Sequence, residues 1–268
     1  MAQAPWLTVI TVVKDDADAF ERTATSVGEQ HEAGPWEWLV VDSSDDPAVI
    51  ARIMASHRAA PGSTTEACWT PPAGVYAAMN AGLDRASGEF VLFLNAGDTL
   101  FDPDVLSNVR EVILRTNAPW LFGPVEIEQV DGAHVITPSW DVPTERRASF
   151  ARGHFPPHQG TFARRADLCA AGGFDTRYAI AADYAMFLRL AVMADPVQVA
   201  FPIAVFVEGG LSTQRWRESF REFHHARRTI LAPRGTAACR EWFETVRHYA
   251  AVSAYRTLRS LRGEARTA

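Results

Sequence analysis

The sequence predicts an α/β domain in which helices flank a mostly parallel central sheet, followed by a C-terminal helical extension. Short apolar runs rich in β-branched residues, such as LTVITVV at 7–13, are typical of strands that are buried on both faces. Amphipathic segments of helical periodicity follow these runs after short connections. A repeated strand–helix order with short connections indicates parallel pairing of the strands.

The first 117 residues are predicted to alternate between strands and helices. In chain order they contain a strand at 7–13, a helix from Asp15-Asp16 to about Gln30, a strand ending at Asp42, a helix through about His57, a short strand at 66–69, a helix at 74–86, a strand at 90–94 and a helix after Pro103. The helix at 74–86 is supported by three apolar residues spaced by four, and a proline suits the start of the last helix.

The pattern changes from Trp120 onward. The segment WLFGPVEIEQVDGAHVITPSW alternates and turns at Asp131-Gly132, which predicts a β-hairpin. The remaining predicted elements are a short strand and a helix near 166–171, a helix beginning at Asp183, a strand at 202–212 containing Gly209-Gly210, and tail helices at about 214–230 and 237–262. We expect one domain over 1–213, with halves at 1–117 and 118–213, and an extension over 214–268.

The composition is that of an ordinary globular protein, because 47% of the 268 residues are hydrophobic and 22% are charged. No apolar stretch approaches the ~18 residues of a membrane span, and the N-terminus lacks the pattern of a secretory signal. Cys68, Cys169 and Cys239 are far apart and form no CxxC pair, which argues against a disulfide framework or a zinc site. A cytoplasmic location is therefore expected.

The net charge of −6 is unevenly distributed. Residues 214–268 contain 12 Arg and five Glu, a net charge of +7, whereas residues 1–213 carry −13. This balance argues against general nucleic-acid binding. The Arg-rich tail permits peripheral contact with an anionic surface, such as the inner face of a membrane, and the alternative is a solvated helical face or pairing with the acidic body.

Two carboxylates follow predicted strands directly. Asp98 ends the segment EFVLFLNAGD, and Asp42 ends WEWLVVD. In open α/β sheets ligands bind beyond the carboxyl ends of the strands, which is where both residues lie. Asp98 can hold Mg²⁺ or Mn²⁺, which often take only one or two protein carboxylates, or it can be a turn residue. Asp42 is equally a candidate site residue or a plain turn residue, because Ser43, Ser44 and Asp45 can themselves cap the next helix.

Further candidates lie in the second half. Asp183, at the start of a predicted helix, is either its N-cap or an ionised carboxylate that accepts a proton from a hydroxyl nucleophile. His158, in FPPHQG, is a candidate site residue or an ordinary loop histidine. The pair Gly209-Gly210 permits close backbone approach to a phosphate, or forms a plain turn.

Several catalytic signatures are absent from the sequence. It contains no GxGxxG after the first strand, no GxxxxGK[ST] loop, no GxSxG elbow and no HExxH. These absences argue against dinucleotide-fold dehydrogenases, P-loop kinases, elbow-type hydrolases and zinc proteases.

Taken together and in this order, the segments resemble the inverting family 2 glycosyltransferases with a GT-A fold, in the subgroup found in bacterial polysaccharide and glycolipid synthesis. The resemblance covers about residues 5–215. It rests on LTVITVVKDD, WLVVDSSDD, GVYAAMNAGLDRASGEFVLFLNAGD, PHQGTFARRADLCAAGGFDTRYAIAADYAMFLRL and VEGGLS. It implies a nucleotide-binding half at 1–117 and an acceptor-binding half at 118–213.

The resemblance also implies roles for individual residues. Asp183 stands where the family keeps its catalytic base, and the donor would be a nucleoside-diphosphate sugar. The nucleotide would contact Thr11, Val12, Lys14, Asp42, Asn80, Asn95, Ala96 and Gly97, a Mn²⁺ or Mg²⁺ ion would bind Asp98, and the acceptor or a phosphate would contact His158, Gln159, Gly209 and Gly210. The acceptor hydroxyl would belong to a saccharide or a lipid-linked saccharide.

The chain departs from the family pattern at three places. Asn95 and Gly97 replace carboxylates of the usual Asp-x-Asp metal motif, Lys14-Asp15 replaces Tyr-Asn, and Pro72-Ala73 replaces an Asp-Lys pair. A catalytically degenerate sugar-nucleotide-binding protein and a nucleotidyltransferase-like enzyme are therefore the alternative hypotheses. The second lacks the glycine-rich basic loop expected after its first strand.

Overall fold

The structure is a computed structural model that describes residues 4–57, 59–129, 132–137, 149–150, 154–207 and 215–264. The strands are β1 Leu7–Val13, β2 Trp36–Asp42, β3 Ser63–Trp69, β4 Phe90–Phe93, β5 Thr99–Leu100, β6 Trp120–Phe122, β7 Val125–Glu128, β8 His134–Ile136, β9 Thr161–Arg164, β10 Val197–Gln198 and β11 Ala204–Val207. The helices are α1 Ala17–Gly28, α2 Pro47–Ser56, α3 Val75–Arg85, α4 Val105–Thr116, α5 Arg165–Ala170, α6 Ala182–Met193, α7 Trp216–Leu231 and α8 Thr236–Glu264, with a 3₁₀ turn at His158–Gly160.

The main sheet has seven strands in the order β10-β6-β9-β4-β1-β2-β3. β1 pairs in parallel with β2 and β4, β2 with β3, and β6 with β10. Among the strands that the structure describes in this sheet, β9 alone runs antiparallel, between β4 and β6. The sheet is therefore mostly parallel, as predicted, and its reversed strand matters for the site.

Both faces of the sheet are buried. On one face Ile10 and Val41 pack with Met79 of α3 and with the core that contains α6. On the other face Val9 and Trp38 pack with the core that contains α1, α2 and α4. Every residue of β1 and β2 is buried, which explains why both are rich in apolar and β-branched residues. The buried polar pair Thr8 and Glu37 is hydrogen-bonded at 2.5 Å.

The predicted hairpin around 120–140 is correct only in its second part. β7 and β8 pair antiparallel, with Ile127 opposite Val135, in a smaller sheet of order β5-β11-β7-β8. β6 instead joins the main sheet through β9, because Trp120–Phe122 is buried on all sides. Asp131, at the predicted turn, lies outside the described residues.

The C-terminal helix α7 packs against α6 and α8. Arg227 of α7 is only 2% exposed and lies between Glu241 of α8, at 3.2 Å, and the hydroxyl of Tyr184 in α6, at 3.0 Å. One arginine of the Arg-rich tail is therefore paired with a glutamate of the same tail. In the part of the chain that the structure describes, no helix is both long and apolar enough to cross a bilayer.

Candidate active site

A cavity of about 290 Å³ opens at the carboxyl ends of β1, β2 and β4. Its lining residues include Val12, Val13 and Lys14 after β1, Ser43 after β2, Gly74, Val75 and Ala78 at the start of α3, and Asn95 and Ala96 after β4. The N-terminus of α3 borders it without a side-chain cap, since Gly74 precedes the helix at φ 96°. Uncapped N–H groups at a helix start attract anions, so this edge of the cavity suits a phosphate group.

Val12, Lys14, Asn95 and Ala96, all predicted nucleotide contacts, line this cavity. Thr11 and Asn80 do not. Thr11 is fully buried and its hydroxyl accepts a hydrogen bond from the Trp38 indole at 3.0 Å.

Asn80 joins α3 to the loop after α5. Its amide nitrogen donates to the carbonyl of Phe174 at 2.8 Å, and its amide oxygen accepts from the backbone N–H of the same residue at 2.8 Å. The side chain thus holds two parts of the fold together.

Asp42 is buried and turned into the loop that follows β2. Its Oδ1 accepts the backbone N–H of Ser44 at 2.8 Å. The N-cap of α2 is Asp46, whose Oδ1 accepts from Ala48 N–H at 3.0 Å, so the expectation that Ser43, Ser44 or Asp45 caps this helix is wrong. Asp42 shapes the turn beside Ser43, which does line the cavity.

The turn 95–98 is fixed from α1. The hydroxyl of Thr23 donates to the carbonyl of Asp98 at 2.7 Å and accepts from Gly97 N–H at 2.9 Å. Gly97 adopts φ 98°, a left-handed conformation that favours glycine. The backbone conformation at position 97 therefore explains why glycine stands there in place of the carboxylate of the usual metal motif.

Residues from three distant segments meet beside this turn. The amide nitrogen of Asn95 lies 3.1 Å from His158 Nε2, within hydrogen-bond distance. His158 Nδ1 lies 3.5 Å from Asp183 Oδ2, and both side chains are less than a fifth exposed. His158 and Gln159 also act on Asp98, by charge and by a hydrogen bond respectively. The two acidic residues expected to carry the chemistry thus share one histidine neighbour.

Asp98 is buried, and its burial raises the pKa of the carboxyl group from 3.8 to about 6. The nearby charge of His158, the hydrogen bond from Gln159 and the backbone of Asn95 act in the opposite direction. Burial of a carboxylate disfavours its charged form, so a cation at this position would be stabilising.

The donor atoms at the turn fit a hard divalent ion. Asn95 Oδ1 is buried and receives no hydrogen bond from the described residues. Together with the carboxylate of Asp98 it offers oxygen ligands, which Mg²⁺ and Mn²⁺ prefer. Among the residues that the structure describes there is no cluster of three or more His, Cys, Asp or Glu side chains suited to a metal, so the remaining ligands would have to be substrate oxygens and water.

Asp183 lies in the first turn of α6, whose N-cap is Ala181, so the alternative that Asp183 is the N-cap is wrong. Its Oδ1 accepts from Tyr184 N–H at 2.7 Å and lies 3.4 Å from the hydroxyl of Tyr76. Tyr76 was not predicted as a site residue, although it lies within the motif GVYAAMN. Its pKa is raised strongly, first by burial and then by the charge of Asp183.

His158 is held by the close packing of its 3₁₀ turn. Gly160 accepts from Gly123 N–H at 3.0 Å, and a Cβ on Gly160 would lie 2.8 Å from the Gly123 carbonyl. This contact fixes the start of β9 against the end of β6. Gly209 and Gly210, predicted to contact a phosphate, lie outside the described residues.

The chain is similar to known glycosyltransferases in sequence. Residues 8–166 match the model of glycosyl transferase family 2. A Mycobacterium tuberculosis protein described as an uncharacterized glycosyltransferase is 32% identical over 221 residues, which is 80% of each chain. A PGL/p-HBAD biosynthesis glycosyltransferase of Mycobacterium bovis is 29% identical over 193 residues, covering 69% of this chain and 70% of the other.

Solved structures share the fold. Staphylococcus aureus TarS 1–349 in complex with UDP-GlcNAc gives a TM-score of 0.62 at 17% identity, over 84% of this chain and 67% of that one. The mannosyltransferase PcManGT of Pyrobaculum calidifontis, in complex with GDP-Man and Mn²⁺, gives 0.60 at 18% identity, over 94% and 76%. The family match spans the strands that build the cavity, and with the 32% identical relative it shows that this chain belongs to glycosyl transferase family 2, a glycosyltransferase with a GT-A fold.

Proposed function

We propose that the protein transfers a sugar from a nucleoside-diphosphate sugar to an acceptor hydroxyl with inversion at the anomeric carbon. The observation that carries this proposal is the meeting of Asp98, His158 and Asp183 beside a cavity at the carboxyl edge of the sheet. A displacement needs a site for the leaving diphosphate and a base for the incoming hydroxyl. The turn 95–98 supplies the first and Asp183 the second.

The donor occupies the cavity at the ends of β1, β2 and β4. Its diphosphate lies between the uncapped start of α3 and the turn 95–98, where N–H groups and oxygen ligands are available. Asp98 and the unpaired Oδ1 of Asn95 would hold a Mn²⁺ or Mg²⁺ ion, which would supply positive charge to the leaving diphosphate. The nucleotide sugars in the TarS and PcManGT complexes, and the Mn²⁺ in the latter, support this assignment.

Asp183 acts as the general base. The acceptor hydroxyl gives its proton to the carboxylate, its oxygen forms a bond to the anomeric carbon, and the bond from that carbon to the diphosphate oxygen breaks. The attack comes from the face opposite the leaving group, so a single displacement inverts the configuration. His158 Nδ1 lies 3.5 Å from Asp183 Oδ2 and the Tyr76 hydroxyl lies 3.4 Å from Oδ1, so both oxygens of the carboxylate have a neighbour that restricts them.

The base assignment is tested with Asp183→Asn. We expect this variant to lose transfer, and also donor hydrolysis, by at least a hundredfold while binding of nucleoside diphosphate and Mn²⁺ stays within about twofold. Retention of most of the turnover would refute Asp183 as the base.

The donor has to be identified before this test. A thermal-shift screen of UDP-, GDP- and dTDP-sugars, with and without Mn²⁺, identifies it.

The same assays separate the alternatives. A nucleotidyltransferase releases pyrophosphate, whereas a glycosyltransferase releases a nucleoside diphosphate. A degenerate binding protein binds the donor but shows no hydrolysis that depends on Asp183. Release of one nucleoside diphosphate for each donor molecule consumed, abolished in Asp183→Asn, would exclude both the nucleotidyltransferase and the degenerate binding protein.

We also propose that α8 contacts an anionic lipid surface near a lipid-linked acceptor. Trp242 and Phe243 are each 61% exposed, Val246 is 44% exposed, and the tail that carries them has an excess of arginine. Aromatic side chains beside cationic ones suit a membrane interface.

The double variant Trp242→Ala/Phe243→Ala should bind vesicles containing 30% phosphatidylserine at least fivefold more weakly than the wild-type protein in a sedimentation assay, a magnitude on the order of 1 kcal/mol. Leu114→Ala on α4 is a matched control, because Leu114 is 73% exposed on another helix. Equal recovery of the double variant and the wild-type protein with the vesicles would exclude this contact.

A further inference from the structure

A carboxylate of the C-terminal extension binds the backbone directly before α6. Glu222 of α7 accepts from Ala179 N–H through Oε1 at 3.1 Å, and from Ile180 and Ala181 N–H through Oε2 at 2.9 and 2.8 Å. The N-cap residue of α6 is alanine and makes no side-chain cap. Glu222 therefore supplies, from a different helix, an acceptor that the local sequence lacks.

The same segment is held from its opposite side by α3. The hydroxyl of Tyr76 donates to the carbonyl of Ile180 at 2.5 Å and lies 3.4 Å from Asp183 Oδ1. Ile180 is 5% exposed and Ala181 is fully buried. The backbone that leads into Asp183 is thus bound through its N–H groups by α7 and through a carbonyl by α3.

Glu222 also lies in a favourable electrostatic position. A negative charge near the N-terminus of a helix is stabilised by the helix dipole, and three charge-assisted hydrogen bonds are stronger than neutral ones. Glu218, one turn earlier on α7, carries the same charge but pairs with Arg215. The contact with the α6 entry therefore belongs to Glu222 and is not a general property of acidic residues on this face.

We propose that Glu222 is a positioning residue for the transfer reaction, and that it fixes the backbone that aims Asp183 at the acceptor hydroxyl. The inference rests on the proposed role of Asp183 as the base. A displacement of about 1 Å in a reacting group can cost on the order of a hundredfold in rate. Glu222 is far from the donor cavity in sequence and lines no part of it, so its loss should affect turnover and not donor binding.

The test compares Glu222→Ala and Glu222→Gln with the matched control Glu218→Ala. Turnover is measured as hydrolysis of UDP-GlcNAc and GDP-mannose with Mn²⁺, and binding as the affinity for UDP and GDP by calorimetry. We expect kcat to fall 10- to 100-fold in Glu222→Ala, with Kd unchanged within twofold and with full activity in Glu218→Ala. Glu222→Gln should retain more activity, because its carbonyl oxygen still accepts hydrogen bonds, and it carries the test if Glu222→Ala does not fold.

A double variant shows whether Glu222 acts through Asp183. Glu222→Ala added to Asp183→Asn should cause no further loss of kcat beyond twofold, since a base that is absent cannot be misplaced. Losses that multiply would overturn the inference, as would a Glu222→Ala variant of normal kcat. An active Asp183→Asn would overturn the base assignment and this inference together, whereas an inactive Asp183→Asn beside a fully active Glu222→Ala overturns the inference alone.

Discussion

Replacing Asp98 with asparagine removes a buried negative charge and preserves the shape of the side chain. Burial raises the pKa of Asp98 from 3.8 to about 6. Each unit corresponds to about 1.36 kcal/mol, so the ionised carboxylate lowers the free energy of unfolding by about 3 kcal/mol at neutral pH. We expect Asp98→Asn to exceed the wild-type protein in stability by up to about 3 kcal/mol at pH 8 without divalent ions.

The stability difference has a defined pH dependence. Because the folded-state pKa of Asp98 is above the unfolded value of 3.8, the folded protein binds the proton more tightly. The stabilisation by the protonated group is fully present below pH 3.8 and is lost as the pH rises through about 6. The wild-type protein and Asp98→Asn should therefore converge near pH 4 and differ most above pH 7.

The assay is thermal unfolding in EDTA over a series of pH values. For a chain of this length 1 kcal/mol shifts Tm by about 2–4 °C, so a difference of several degrees is expected at pH 8. Asp84→Asn, at an exposed carboxylate of α3, is the control and should change Tm little at any pH. An Asp98→Asn protein that is equally or less stable than wild type at pH 8, or a difference independent of pH, would refute the reasoning.

Three further substitutions address the packing of the fold and of the site. Gly88→Ala places a Cβ 2.4 Å from backbone atoms of β1, and chemical denaturation should show a loss of about 1–3 kcal/mol; unchanged stability would contradict the close approach. Arg227→Ala leaves Glu241 without its buried partner and should cost about 3–5 kcal/mol by the same measurement, while a loss below 1 kcal/mol would show that the ion pair is not closed in solution. Thr23→Val removes the hydroxyl that hydrogen-bonds to Asn95, Gly97 and Asp98 of the turn 95–98, so calorimetry should show about tenfold weaker binding of UDP or GDP with Mn²⁺, or about 1.4 kcal/mol. Unchanged affinity would argue against the turn as the diphosphate site.

The first half of the fold was predictable because its signals are local. β1 and the end of β2 at Asp42 match the expected bounds, since strands buried on both faces leave continuous apolar runs. β3 was predicted too short, at 66–69 and not 63–69, because this edge strand is mostly exposed and its polar residues hide the pattern. The bounds of the buried strands β1 and β2 could thus be predicted more accurately than those of the exposed strand β3.

The site was predictable in part. Asp98 and Asp183 were singled out from their places at a strand end and a helix start, and the structure brings both to His158. Tyr76 and Glu222 were missed because their roles depend on contacts with Ile180 across 104 and 42 residues of sequence. Neither residue type carries a local signal for such a contact.

The antiparallel direction of β9 in the main sheet determines which residues of the second half of the chain lie beside the candidate site. β9 pairs antiparallel with β4, with Leu92 opposite Phe162. The residues before β9 therefore lie at the same edge of the sheet as the residues after β4. His158 therefore meets Asn95 although 63 positions separate them. A chain that ended after β4 would contain Asn95 and Asp98 but neither His158 nor Asp183. The proposed reaction therefore requires both halves of the main sheet, although the cavity at the ends of β1, β2 and β4 is lined by the first half.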